Sequence, residues 1–319
     1  MLLKKNSFDR NWLLLLLLGI IWGLAFVSVE ASLRSFSPLQ IACLRILIGT
    51  IMITSFTFFW ERNKFFSKNF FSKKIIFFSI GVAVFSNALP FSLLSWAQIY
   101  VTSIFAGVFM TLVPLIILPL AHFFIPNEKL SFKKVLGFLL GFIGVMILID
   151  VNLIMKDLNS DDLFPKLACF GATISYAVGS IIIKRSPKTS QLVFSSLSLF
   201  FASFIMLFFL ILNNQITFNS EIKIVPVLGI LFLGAFPTGV ATVLKVSIIK
   251  NAGPSFLSLV NYQVPLWAII FGFLFFNEKL PKEIVIGLIL IIIGLFVSQS
   301  NVSVTKRLIE SLKRIKKIK

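Results

Sequence analysis

The tetrapeptide NEKL occupies residues 127–130 and is followed, one residue on, by the apolar run FKKVLGFLLGFIGVMIL at 132–148. The same four letters return at 277–280, followed by PKEIVIGLILIIIGLFV at 281–297. Around this pair other matches fall into register. Gly137 matches Gly287 and Gly144 matches Gly294 at the same offset, and Pro114-Leu115 matches Pro265-Leu266 once one residue is inserted in the first copy. The chain states one pattern twice, about half its length apart.

Composition sets the solvent in which that pattern is read. The chain is 58% hydrophobic and 13% charged, against about 45–50% and about 25% in ordinary soluble domains. Its apolar residues come in runs of about 18–23, each long enough to cross a hydrocarbon core of roughly 30 Å as a helix. Lipid offers the backbone no hydrogen bonds, so such runs must be helical. The fold class expected is an all-α polytopic membrane protein. The start, MLLKKNSFDRNWLLLLLLGIIWG, imitates a signal peptide, but its apolar run continues from Asn11 to Ala31 with no small-x-small cleavage site, so it reads as the first span. Cys43 and Cys169 both lie in apolar segments and read as small packing residues. With a single histidine no His-rich metal site is expected, and no cofactor is.

Apolar runs and loop signals predict ten transmembrane helices, at 12–31, 39–60, 75–95, 103–125, 133–150, 164–184, 192–213, 224–246, 254–276 and 281–299. With the N-terminus in the cytoplasm, 23 of the 30 basic residues fall inside and six outside, with Arg45 left within a span. Basic residues gather on the cytoplasmic side of membrane proteins. This explains the formal charge of +18 without a nucleic-acid partner. Both termini are expected in the cytoplasm of a bacterial inner membrane. The chain divides into a cytoplasmic N-terminus (1–11), a first five-helix repeat (12–150), an external linker carrying Asp157, Asp161 and Asp162 (151–163), a second five-helix repeat (164–299) and a basic amphipathic tail (300–319). The tail suits the anionic inner leaflet as a surface helix, or a partner protein as a target helix.

Five is odd, so the second repeat enters the membrane from the opposite side. The first NEKL loop carries Glu128, Lys129, Lys133 and Lys134, whereas in the second Glu278, Lys279, Lys282 and Glu283 balance. Two similar halves of opposite orientation can exchange conformations around one midplane site, which is the architecture of alternating access. Gene duplication without moving parts is the plainer alternative. A membrane-embedded enzyme needs clustered nucleophiles, acids or metal ligands, which this sequence does not display. A sensor or scaffold without flux remains as another class.

At this point the residues resemble a known family. Trp22-Gly23, Pro38 with Arg45, Pro114-Leu115 with Glu128, and Pro265-Leu266 with Glu278 resemble the EamA-type transporters of the drug/metabolite transporter superfamily. AGPSFLSLVNYQVPLWAIIFGFLFFNEKL (252–280) carries the strongest likeness and LPFSLLSWAQ (89–98) a second. The resemblance implies a ten-helix bundle with a central cavity, and alternating-access movement of amino acids, other small metabolites or toxic compounds. Glu30 departs from it, standing where many relatives carry lysine or a neutral residue.

Ionisable groups inside a span are functional candidates by default. Arg45 lies roughly 9 Å inside the outer end of the second span, about six residues at 1.5 Å each. Two roles fit it: clamping the hairpin by snorkelling or through Glu30, or binding an anionic group. Lys245, about a turn inside the eighth span's inner end, fits snorkelling or a substrate carboxylate. His122 fits an interfacial position or a proton relay. No Asp or Glu lies near the middle of an expected span, which favours facilitated diffusion or exchange over coupling through a central carboxylate.

Uncharged candidates for substrate binding are Trp22, Asn87 and Thr111 in the first half, and Ser175, Tyr176, Asn261, Tyr262, Gln263 and Trp267 in the second. Asn261-Tyr262-Gln263 precedes Pro265, whose missing N–H frees a carbonyl one turn back. Interhelical hydrogen bonding is the structural alternative for all of these. Gly137, Gly141 and Gly144 form a small-residue face for close packing, within the bundle or at a homodimer seam. Glu128 and Glu278 read as pins on the positive end of the helix that follows each, or as latches of a gate. The partners expected are a small-molecule substrate and the lipid bilayer.

Overall fold

The computed structural model describes residues 3–65, 72–126, 128–148, 163–217, 222–276 and 284–299. The second NEKL with Glu278, the aspartate-bearing linker up to residue 162 and the basic tail lie outside the described residues. Among the described residues there is no strand. The helices are α1 (Leu3–Ser32), α2 (Pro38–Trp60), α3 (Lys73–Ala83), α4 (Leu89–Ala97), α5 (Ser103–Met110), α6 (Val113–Phe124) and α7 (Phe132–Leu148). After the linker come α8 (Leu163–Arg185), α9 (Gln191–Leu212), α10 (Ile224–Leu233), α11 (Ala241–Ala252), α12 (Val260–Phe276) and α13 (Ile284–Gln299).

Among the described residues, seven helical stretches are long and apolar enough to cross a bilayer: Arg10–Ser32, Pro38–Trp60, Lys73–Ala97, Phe105–Phe124, Leu163–Arg185, Gln191–Leu212 and Ile224–Ala252. They coincide with seven of the expected spans. The other three fall on α7, α12 and α13, apolar helices of 17, 17 and 16 residues that each adjoin residues outside the description. Large apolar side chains such as Phe59, Phe77, Phe204 and Phe296 stand exposed on the outer surface. An apolar exterior of this extent belongs against lipid.

Local chemistry starts the helices where the sequence changes character. Ser37 caps α2 in a capping box: its hydroxyl accepts from Gln40 N at 3.3 Å, and its own N–H donates to Gln40 Oε1 at 2.8 Å. Pro38 fills the first turn, where no amide partner is needed. Thr102 caps α5 in the same manner. Between α11 and the single turn Pro254–Leu257, Gly253 adopts φ +98°. A side chain there is strained by that φ and also collides with the Glu128 carboxylate.

Two of the spans are not continuous α-helices. Between α3 and α4 the backbone makes a π-helical turn at Val84–Ala88, and between α10 and α11 a longer one at Gly234–Val240. Two more breaks separate α5 from α6 at Thr111–Leu112, and Pro254–Leu257 from α12 at Ser258–Leu259. The spans expected from the sequence run through all four places. α1 packs against the α10–α11 span and α12, and α8 packs against the α3–α4 span and α6. α2 packs on α9 and on the second π turn, and α9 packs on α3.

α7 and α13 make the tightest seam. A Cβ at Gly144 lies 2.8 Å from Gly287 O and 2.9 Å from Ile291 N; one at Gly294 lies 2.5 Å from Gly137 O and 2.6 Å from Gly141 N. The glycine faces of the two sequence copies therefore close on each other inside the bundle, not on a second molecule. Gly144→Leu drives a side chain into neighbouring backbone, and overpacking of this kind costs about 1–3 kcal/mol or more. It lowers the thermal midpoint and the monodisperse yield on size-exclusion chromatography. Gly107→Ala, where a Cβ meets nothing within 4 Å, leaves both unchanged.

Candidate functional site

The bundle encloses a cavity of about 930 Å³, counted out to its solvent-open mouth. Its wall is drawn from both sequence copies: α1, α2, the first π turn with α4, α5 and α6 on one side, and α8, the second π turn with α11, and the α12 region on the other. Of the residues expected at a site, Trp22, Arg45, Tyr176, Asn261 and Lys245 line it. Asn87, Thr111, Ser175, Tyr262, Gln263 and Trp267 do not.

Arg45 is 6% exposed and Lys245 5%. Arg45 Nε donates to Thr238 Oγ1 at 3.0 Å, a hydroxyl supplied by the second π turn. Its guanidinium lies over the Phe91 ring, 3.9 Å from the centroid, and Phe91 meets Tyr176 edge-on at 6.4 Å. The expected clamp to Glu30 is not formed. Glu30 instead accepts from Ser103 Oγ at 2.5 Å, and Gln98 Nε2 donates to the same hydroxyl at 3.0 Å. Lys245 has no hydrogen-bond or carboxylate partner among the described residues, and it lines the cavity rather than snorkelling to a surface. Removing an ammonium or guanidinium from water without an opposite charge costs several kcal/mol.

The residues left off the wall have local roles. Asn87 Nδ2 donates to Val82 O at 3.2 Å, and Ser175 Oγ donates to Phe85 O at 3.0 Å, both repairing the first π turn. Thr111 Oγ1 donates to Val108 O at the break before α6. Tyr262 is fully buried; its hydroxyl donates to Phe138 O at 2.9 Å, and its ring lies against Gly141 on α7. Gln263 packs over Gly19, and Trp267 stacks on Phe271 at 6.0 Å. His122 Nδ1 accepts from Leu130 N at 3.2 Å at an exposed end of α6.

Several wall residues escaped the sequence reading, among them Ser86, Ser95, Gln98, Ser180, Thr242 and Ser258. Ser95 Oγ and Gln98 Oε1 have no hydrogen-bond partner among the described residues. A periodic signal existed: Ser95 and Gln98 stand three apart, as do Ser258 and Asn261, and Thr238, Thr242 and Lys245 step by four and three, each set on one helical face.

At one end of the bundle the charged residues hold backbone. Lys184 Nζ donates to Ile249 O and Lys250 O, each at 3.1 Å, while Lys250 Nζ donates to Ser186 O at 2.5 Å and Pro187 O at 3.4 Å. Lys184 thus caps the C-terminal carbonyls of α11, where a cation suits the helix dipole, and Lys250 holds the chain just past the end of α8. Ser255 donates to the Glu128 carboxylate, so Glu128 pins the start of the Pro254 turn across the bundle instead of the helix that follows it in sequence. Ser190 likewise donates to Glu61. Burial pushes the Glu61 carboxyl up, but hydrogen bonds from Lys64 and Ser190 outweigh it and hold the group below its ordinary value.

The profile of the EamA-like transporter family matches residues 10–150 and again 164–299, one match per sequence copy. The chain belongs to the EamA-like transporter family. Relatives of this EamA-like chain include the uncharacterized transporter YoaV of Bacillus subtilis, 22% identical over 280 residues, covering 88% of this chain and 93% of the relative. An uncharacterized transporter of Archaeoglobus fulgidus is 22% identical over 289 residues, covering 90% and 98%. The WAT1-related protein At3g02690 of Arabidopsis thaliana is 22% identical over 293 residues, covering 90% and 68%. A solved crystal structure shares the fold with a TM-score of 0.69 at 18% identity, over 91% of this chain and 97% of the other. The apolar helices and the family together make this EamA-like chain a multi-pass membrane protein.

Tyr262→Phe removes the bond to Phe138 O, a loss of about 1 kcal/mol. The thermal midpoint of the purified protein falls, and ligand binding at the cavity is unchanged when measured below that midpoint.

Proposed function

We propose that this protein is a secondary transporter that moves a small polar metabolite across a bacterial inner membrane by alternating access, with both termini in the cytoplasm. One observation carries the reading: a cavity inside a membrane bundle, walled by both sequence copies and holding buried polar and charged side chains. Such groups are costly in lipid and are kept where they serve a solute.

The ten-span, inverted arrangement belongs to the same proposal and has independent support in the packing. The π turns begin at Val84 and Gly234, the same offset that separates the two NEKL phrases. α1 meets the α10–α11 span and α12 much as α8 meets the α3–α4 span and α6. α2 with α9, and α7 with α13, pair elements at equivalent places in the two copies. Halves related in this way by a two-fold axis in the membrane plane can exchange states around a fixed cavity. The π turns and the breaks before α6 and α12 supply backbone that is already loosened where such an exchange bends helices.

Purified protein reconstituted alone into proteoliposomes is expected to carry saturable flux of a small solute; empty-liposome rates across a broad metabolite panel defeat the proposal. Cysteines placed at Glu128 and Glu278 are expected to label from opposite membrane faces, and labelling from the same face removes the inverted arrangement. Arg45→Leu at equal membrane abundance reduces flux by about tenfold or more, the loss of one charge-assisted hydrogen bond. Arg45→Lys restores it in part, since an ammonium lacks the bidentate fork.

A further inference from the structure

The described wall of the cavity carries two cations and no carboxylate. Arg45 enters from α2 and Lys245 from α11, each more than nine-tenths buried on the wall of the same cavity. Apart from its stacking on Phe91, Arg45 engages the protein only through Nε, and its Nη groups have no hydrogen-bond partner among the described residues. Lys245 makes no hydrogen bond there. Buried charges in proteins are normally paired. Here the opposite charge has to come with whatever occupies the cavity.

We infer that the occupant is an organic acid whose carboxylate has no compensating ammonium: a 2-oxo, hydroxy or simple carboxylic acid rather than a zwitterionic amino acid or a cation. The inference rests on reading this cavity as the transport site. The Nη donors and the Lys245 ammonium supply charge-assisted hydrogen bonds to the carboxylate. The body of the acid is accommodated by Trp22, Phe26, Leu94, Met110 and Val113 on the same wall. A ligand ammonium, in contrast, meets two like charges and only neutral acceptors. Ser95 Oγ and Gln98 Oε1 have no hydrogen-bond partner among the described residues, and a hydroxyl on the acid can donate to an acceptor of this kind.

The test uses the full-length protein with matched probes: phenylpyruvate, phenyllactate, benzoate and succinate against phenylalanine and tetraphenylphosphonium. Thermal stabilisation in detergent reports binding, and radiolabelled exchange in proteoliposomes reports flux. At least one of the acids is expected to bind about tenfold or more tightly than phenylalanine, with the preference lost in Lys245→Gln and retained in Lys245→Arg, the cost of one charge-assisted contact. Should Lys245→Gln fail to fold, the selectivity of the wild-type protein across the six probes decides alone. Binding or exchange of phenylalanine or tetraphenylphosphonium that equals or exceeds that of every acid overturns the inference while transport stands. Selective acid binding without flux keeps the inference and removes transport. Failure of all four acids to stabilise the protein or to exchange overturns it.

Discussion

A bilayer gives the backbone nothing to bond to, and the departures from α-helix inside the described spans answer to that constraint. A π turn or a helix break releases carbonyls and amides that water would satisfy in a soluble protein. Here side chains attend to them: Asn87 and Ser175 at the first π turn, and Thr111 at the break before α6. Four of the polar positions that drew attention in the sequence lie off the cavity wall because they repair the helices or pack them, the fourth being Tyr262 of α12, which bonds Phe138 of α7. The irregular backbone in turn supplies the site: Ser86 and Thr238 come from the two π turns, and Thr238 holds Arg45 in place.

Hydropathy was enough to give the helical class and the seven spans seen among the described residues, and the motifs set out along the doubled pattern gave the resemblance to the family. Both signals are long and redundant: a span needs only about 20 apolar residues, and a repeat is tested at many positions at once. The glycine pattern at Gly137, Gly144, Gly287 and Gly294 was also legible, because small residues at helical spacing have few uses other than close packing. The π turns were not legible. Nothing in VFSNA or GAFPTGV departs from what an apolar helix tolerates, apart from Pro237 and its neighbouring glycines.

The site was half legible for a related reason. Arg45 and Lys245 stood out because charge inside a span is rare, but their partners depended on rotation about each helix axis, which composition does not encode. Glu30 is near Arg45 along the chain, yet it joins Ser103 and, through it, Gln98. Serines and threonines on the wall are common in any membrane helix, so only their three- and four-residue steps separated them from packing residues.

The crossed lysines at the ends of α8 and α11 have a mechanical consequence. Lys184 reaches from α8 to the terminal carbonyls of α11, and Lys250 reaches from α11 to the carbonyls just past the end of α8. Pulling the two ends apart therefore strips both sets of bonds in the same movement. That end of the bundle releases cooperatively, as a clasp does, or stays shut.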